Sequence, residues 1–226
     1  MAEPVETSKP VLFRWPESAA FGRTIPKTKF YEHGNVRSSL RERFVDNVQR
    51  VTWAYKLADA TIRLRGTKAV PEIQVFTVEA KDEDVSDDVL TAIDKSVHFP
   101  ILFEVIRGTG DCVRLVAAYK TLGGALPKLG TYFSTEWLPV DAPRAPLPTA
   151  LDLPHLYEAL LGSLLPVATR RGESVSHATD RIEQARKLER VIADLERKLR
   201  TDPQLNRKIE LRRELHDRQA SLASLL

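Results

Sequence analysis

Ile73-Gln74-Val75-Phe76-Thr77-Val78-Glu79 opens the stretch that decides the fold. β-Branched and aromatic residues alternate there with polar ones, the pattern of a strand with Ile73, Val75 and Thr77 on one face. Ser86-Asp87-Asp88 then predicts a helix start, because carboxylates in the first turn complement the helix dipole. Val85, Val89, Ile93 and Val97 supply its apolar face, and Pro100 stops it. Ile101–Arg107 reads as a second strand, Gly108-Thr109-Gly110-Asp111 as a hairpin turn, and Val113–Tyr119 as the returning strand. A strand, a crossover helix, a second strand and a hairpin make a mixed sheet flanked by helices, so the expected fold is α/β (α+β) with a body over residues 23–140.

Toward the N-terminus, the spacing predicts a single helix from Ser39 to Ala58. Leu40, Phe44, Val48 and Val51 form its stripe, and Ser39 and Glu42 form a capping box. A strand near Thr61–Arg65 is expected after it. Ile25-Pro26-Lys27-Thr28-Lys29-Phe30-Tyr31 mixes cations with aromatics, which makes Lys27 and Lys29 candidates for contact with nucleic acid or an acidic surface. The competing reading is a basic loop pinned by two core aromatics. Residues 1–22 are Pro-rich and aperiodic, the expected flexible segment, with Phe13 and Trp15 as possible anchors.

Toward the C-terminus, Gly123-Gly124 and Pro127–Gly130 predict a flexible loop, Thr131–Ser134 a return to the sheet edge, and Trp137-Leu138-Pro139 a seal on the core. Residues 141–172 read as a Pro-rich connector and a helix over Leu151–Leu165. The remaining residues, 173–226, carry two helical stripes separated by Thr201-Asp202-Pro203, hence a coiled-coil-like antiparallel hairpin. Leu188, Ile192, Leu195 and Leu199, with Leu205, Ile209 and Leu215, are its candidate partner-binding residues. Arg186, Arg190, Arg207, Lys208, Arg212 and Arg213 crowd the turn-side half and are candidates for an acidic surface or a phosphate backbone. Acid-before-base pairs at i,i+4 (Glu183/Lys187, Asp194/Lys198, Glu196/Arg200 and Glu214/Arg218) support the helices.

Net charge is only +3, but residues 1–66 carry +5, residues 67–169 carry −6 and residues 170–226 carry +4. A basic entry and tail around an acidic middle suit a nucleic-acid or acidic partner, or mutual attraction of the parts. Cys112 is the only cysteine, which excludes an internal disulfide and a multi-cysteine zinc site. The absence of a membrane-length apolar run and of a leader pattern predicts a cytoplasmic protein. The five histidines lack metal-ligand spacing, no Gly-x-Ser-x-Gly is present, and Gly123–Lys128 lacks the ending of a phosphate loop. One enzymatic constellation stands out. Glu79-Ala80-Lys81 at a strand end, with Asp59 as a second acid and Glu104 as a third, has the residue types with which restriction-type nucleases hold magnesium and activate water.

The order of Ile25-Pro26-Lys27-Thr28-Lys29-Phe30-Tyr31-Glu32, Ile73-Gln74-Val75-Phe76, Ile93-Asp94-Lys95 and Pro100-Ile101-Leu102-Phe103-Glu104 resembles the bacterial family called domain of unknown function 4391. Leu115–Lys120, Trp137-Leu138-Pro139 and Leu205-Asn206-Arg207-Lys208-Ile209-Glu210-Leu211 carry the resemblance onward, from about residue 24 over nearly the whole chain. Genes of that family commonly lie beside helicase-like and DNA-methyltransferase genes in restriction-type or phage-defence clusters. The resemblance therefore implies an accessory subunit of a DNA-acting machine and supplies no catalytic residues. The expectation is a non-catalytic scaffold without cofactor or resident metal, docking through its hairpin onto a larger helicase-type protein or a second copy. The alternatives are the magnesium nuclease and a direct DNA-binding subunit.

Overall fold

A computed structural model describes residues 12–31, 37–122 and 127–225, and the chain divides into two units, Met1–Pro166 and Val167–Leu226. The division falls inside the stretch read as a connector. In the first unit the chain runs through β1 (Leu12–Phe13), β2 (Ala20–Thr24), α1 (Thr28–Tyr31), α2 (Ser38–Asn47), β3 (Val48–Leu57) and α3 (Asp59–Ile62). It continues with β4 (Ile73–Ala80), α4 (Asp87–Ser96), β5 (Ile101–Ile106), β6 (Cys112–Thr121), β7 (Lys128–Ser134), β8 (Leu138–Pro139), β9 (Arg144–Ala145) and α5 (Leu153–Gly162). The second unit consists of α6 (Val175–Thr201) and α7 (Leu205–Leu225).

The main sheet has the order β2-β3-β4-β5-β6-β7, with β8 also pairing β6. Only β4 and β5, joined through α4, are parallel; every other neighbour is antiparallel. The α/β class and mixed sheet read from Ile73–Tyr119 are therefore observed. Phe44, Val48, Val51, Phe76, Val78, Val89, Ile93, Phe103 and Val105 are buried together in the core.

Two expectations in the N-terminal third are corrected. Ser39–Ala58 is not one helix: α2 ends at Asn47, and Val48 turns into extended backbone (φ −106°, ψ 122°) to begin β3. The spacing of Phe44, Val48 and Val51 marks real burial, but a helix contributes the first and a strand the others. Past Asn47 the β-branched and aromatic residues Val48, Val51, Thr52, Trp53 and Tyr55 favour pairing with β4. Nor does the Ser39 capping box form, because Ser39 lies inside α2 and Arg37 is the N-cap. At Thr61–Arg65 a single helical turn replaces the expected strand. The Thr61 hydroxyl donates to the Lys56 carbonyl (2.7 Å) and accepts the Ala58 N–H (2.9 Å), and Arg63 closes the turn in the left-handed region (φ 54°).

Of the stretch 1–22, expected to be flexible, the first eleven residues lie outside the described set. Residues 12–22 carry β1, which pairs in parallel with β9, and most of β2 at the sheet edge. Trp15 is buried and donates its indole N–H to Glu104 Oε1 (2.7 Å), which also accepts from Arg144 (2.6 Å). Of the loop expected over Gly123-Gly124 and Pro127–Gly130, the two glycines also lie outside the described residues, whereas Lys128–Gly130 is the start of β7, paired with β6.

A second buried cluster fixes α4 to the sheet. Lys120 on β6 and Asp94 on α4 form an ion pair with both side chains 1% exposed. The ammonium also donates to the carbonyls of Asp94 (2.7 Å), Val97 (2.9 Å) and Phe99 (2.8 Å), at and just past the C-terminus of α4. Tyr132 donates to Asp94 Oδ2 (2.9 Å). Burial pushes Asp94 up and Lys120 down from their ordinary values, and each charge opposes the shift of the other.

In the second unit α6 and α7 pack against each other as the expected hairpin. Ser174 caps α6 by accepting the His177 N–H (3.2 Å), and Asp202 accepts the Gln204 N–H (2.8 Å) beside Pro203. Glu173, Arg170 and Arg181 close the open end. Arg181 donates twice to Glu173 (2.8 Å each) and once to the Leu225 carbonyl (2.9 Å), while Arg170 reaches the carbonyls of Ser224 (3.1 Å) and Leu225 (3.0 Å). These arginines hold Glu173 down at a pKa of about 2.

Candidate functional site

The metal-nuclease arrangement does not assemble. β3 runs antiparallel to β4 with Leu57 opposite Ile73 and Arg50 opposite Glu79. Asp59 lies two residues beyond Leu57, so it sits past the beginning of β4 while Glu79 sits near its end. Six residues of strand at about 3.3 Å each separate those levels by about 20 Å, too far for one cation. Glu104 is level with Thr77, and its carboxylate is engaged by Trp15 and Arg144. Among the described residues no group of three or more His, Cys, Asp or Glu side chains is placed to hold a metal ion.

Glu79 has a different role. Its Oε1 accepts from Arg50 Nε (2.8 Å) and Nη2 (2.6 Å), across the antiparallel pair of strands. This fork lies in a groove of about 390 Å³ lined by Thr24, Ile25, Pro26, Lys27, Gln49, Arg50, Val51 and Glu79. Lys27 belongs to the groove but is partly committed: its ammonium donates to the carbonyl of Val48 (2.7 Å) at the end of α2. Burial and the neighbouring charge of Lys81 both lower the Lys27 pKa. Lys29 is exposed. Phe30 is buried and stacks on Phe44 at 6.0 Å, and Tyr31 packs on the same ring at 5.6 Å, so these aromatics pin the segment and offer no stacking platform.

Of the seven candidate partner-binding residues, Leu195 is buried and Leu188, Ile192, Leu199 and Leu215 are half-buried, so these five are largely covered within the hairpin's own seam. Leu205 and Ile209 depart from it, being 71% and 43% exposed. The covered positions of α7, Lys208, Leu211, Leu215, Leu222 and Leu225, follow a heptad register that leaves Leu205 and Ile209 to one side. Val191 on α6 is also exposed, at 40%. Of the tail cations, Arg190, Arg212 and Arg213 are exposed, Arg186 and Lys208 are half-buried, and Arg207 pairs with Asp202 (3.2 Å). Asp194–Lys198 (2.8 Å) and Glu214–Arg218 (3.6 Å) are realised.

The sequence reading missed Arg50 as the partner of Glu79, and the closing residues Glu173, Arg170 and Arg181. The first was legible only with β3 recognised as a strand; the second depends on contacts far apart in sequence. No described helix is long and apolar enough to cross a membrane.

Comparison with known proteins supplies a family. A family model described as Domain of unknown function (DUF4391) matches residues 13–222, nearly the whole chain, so the chain belongs to that family. Neither a curated protein nor a solved structure shows a significant match.

Proposed function

We propose that this member of the DUF4391 family is a non-catalytic accessory subunit of a bacterial DNA-acting complex, of restriction-like or phage-defence type, that docks through its hairpin. The observation that carries the reading is the exposure of Leu205 and Ile209, one turn apart on α7, after the α6–α7 seam has been formed. Apolar side chains of that size on a helix already packed on its other side suit a further protein surface. Arg212 and Arg213 follow on the next turn and provide a basic rim for an acidic partner. The helicase-like and methyltransferase neighbours implied by the family resemblance supply the class of partner.

Replacing Leu205 and Ile209 together by Glu in the full chain tests this. The expected result is an unchanged melting temperature and loss of co-purification with the co-expressed helicase-like or methyltransferase neighbour. Retained co-purification by the folded double variant would overturn the hairpin as the docking element. Light scattering on the isolated chain separates a second copy from a different partner: a dimer abolished by the same changes assigns the surface to self-association.

A further inference from the structure

A second feature, independent of the hairpin, has no role in that reading. Lys27, Arg50 and Glu79 line one groove at the end of the β3–β4 ladder, Arg50 is the partner of Glu79, and Lys81 follows the last paired residue of β4 beside it. Backbone geometry fixes their convergence. The Lys27 ammonium bonds the carbonyl of Val48 (2.7 Å), and the Lys81 N–H bonds the carbonyl of the preceding residue, Asn47 (2.9 Å). Bringing like charges together costs free energy unless an anion joins them. The acids that follow Lys81 do not all serve this purpose. Glu83 pairs with Arg107 (3.4 Å) and Asp84 with Arg114 (2.8 Å), leaving Asp82, which is exposed.

We propose that this groove binds a phosphate ester, with Arg50 as the charged contact within it, Lys81 as a cation flanking its end and Glu79 as the residue that positions Arg50. Both Arg50 donors nearest the strand, Nε and Nη2, are taken by the same Glu79 oxygen. The guanidinium is thereby held in one orientation with its other edge free, and the Arg50 side chain is still 57% exposed. Lys81 stands on a braced backbone. Gly108 N–H donates to the Asp82 carbonyl (2.7 Å), and a Cβ at Gly108 would lie 2.3 Å from the Lys81 carbonyl oxygen. Gln49 and Thr24 line the same groove with hydrogen-bonding groups, and Ile25 and Pro26 give it an apolar side against which a sugar or base can rest.

The net positive charge of the cluster disfavours a cation and suits a group with several anionic oxygens. A nucleic-acid strand and a free nucleotide share that chemistry, and the open groove favours the strand.

The test is fluorescence anisotropy of a labelled single-stranded oligonucleotide with the full chain, with nucleoside triphosphate and inorganic phosphate as competitors. Arg50→Ala/Lys81→Ala is expected to weaken binding at least tenfold and to lower the salt slope by about 1.4, at about 0.7 for each phosphate no longer neutralised. Lys81→Glu, a single change at an exposed position, gives a second reading should the double variant melt early. Glu79→Gln is expected to weaken binding less, by releasing Arg50 while leaving its charge. Displacement by the triphosphate alone, with the oligonucleotide bound no better, assigns the site to a nucleotide. Unchanged affinity in the folded Arg50 and Lys81 variants overturns the proposal. So does a loss confined to Arg212→Ala/Arg213→Ala, and so does failure of the folded wild type to bind any of the three probes.

Discussion

The body and the hairpin use charge in opposite ways. In the body, the Lys120 ammonium is enclosed and satisfied by Asp94 and three carbonyls, and the buried Glu104 carboxylate is shared by Trp15 and Arg144. On the hairpin, Asp194 meets Arg197 and Lys198 in the solvent, as Glu214 meets Arg218. A buried charge is tolerated only with all its partners in place, so it specifies one arrangement of helix and sheet. Exposed pairs specify little and leave side chains available to another surface. The hairpin is an exception at its open end, where Arg181 is buried against Glu173.

That contrast is broken or sharpened by substitutions that should differ in cost. Lys120→Met leaves the Asp94 carboxylate buried without its counter-charge and should remove about 3–5 kcal/mol in chemical denaturation, the range for breaking one side of a buried pair. A loss below about 1 kcal/mol would break the comparison. Next comes Arg181→Ala, which removes a bidentate contact and the bond to the Leu225 carbonyl. About 2–3 kcal/mol is expected, read as faster amide exchange confined to α6 and α7. Gly108→Ala forces a Cβ onto the Lys81 carbonyl, and its cost of about 1–3 kcal/mol should appear as a lower melting temperature. Asp194→Asn, on the exposed face, should change stability by no more than about 0.5 kcal/mol. A cost equal to that of Lys120→Met would erase the distinction altogether.

Acid titration addresses the same contrast. The folded Glu173 pKa, about 2, lies below its ordinary value of 4.5, so its contribution is present above the ordinary value and is lost as pH falls through the folded one. Hairpin amide protection should therefore decline from about pH 4.5 toward 2 in the wild type. In Glu173→Gln that part of the decline should be absent.

Legibility followed the range of the interactions. Ile73–Tyr119 was readable because strand alternation, the acidic first turn of α4 and the Gly108–Asp111 turn are all local. β3 was not, because Phe44, Val48 and Val51 keep helical spacing across a junction where the backbone changes type. That one misreading had a further effect on the site. With 48–57 as a helix, Asp59 was free to be imagined beside Glu79; with it as an antiparallel strand, Asp59 goes to the far end and Arg50 comes opposite Glu79. The hairpin was legible from its periodicity, whereas Arg181 and Leu225 meet across 44 positions and Trp15 and Glu104 across 89. No local pattern encodes such pairings.

The parallel pairing of β1 with β9 has a consequence for biosynthesis. Phe13 accepts a bond from Arg144, which lies 131 positions later in the chain. At about 5–20 residues per second, a ribosome exposes the first partner roughly 7–26 s before it makes the second. Leu12 and Phe13 must wait for their β9 partners through that interval, so closure of this bracket belongs among the last steps in folding of the body.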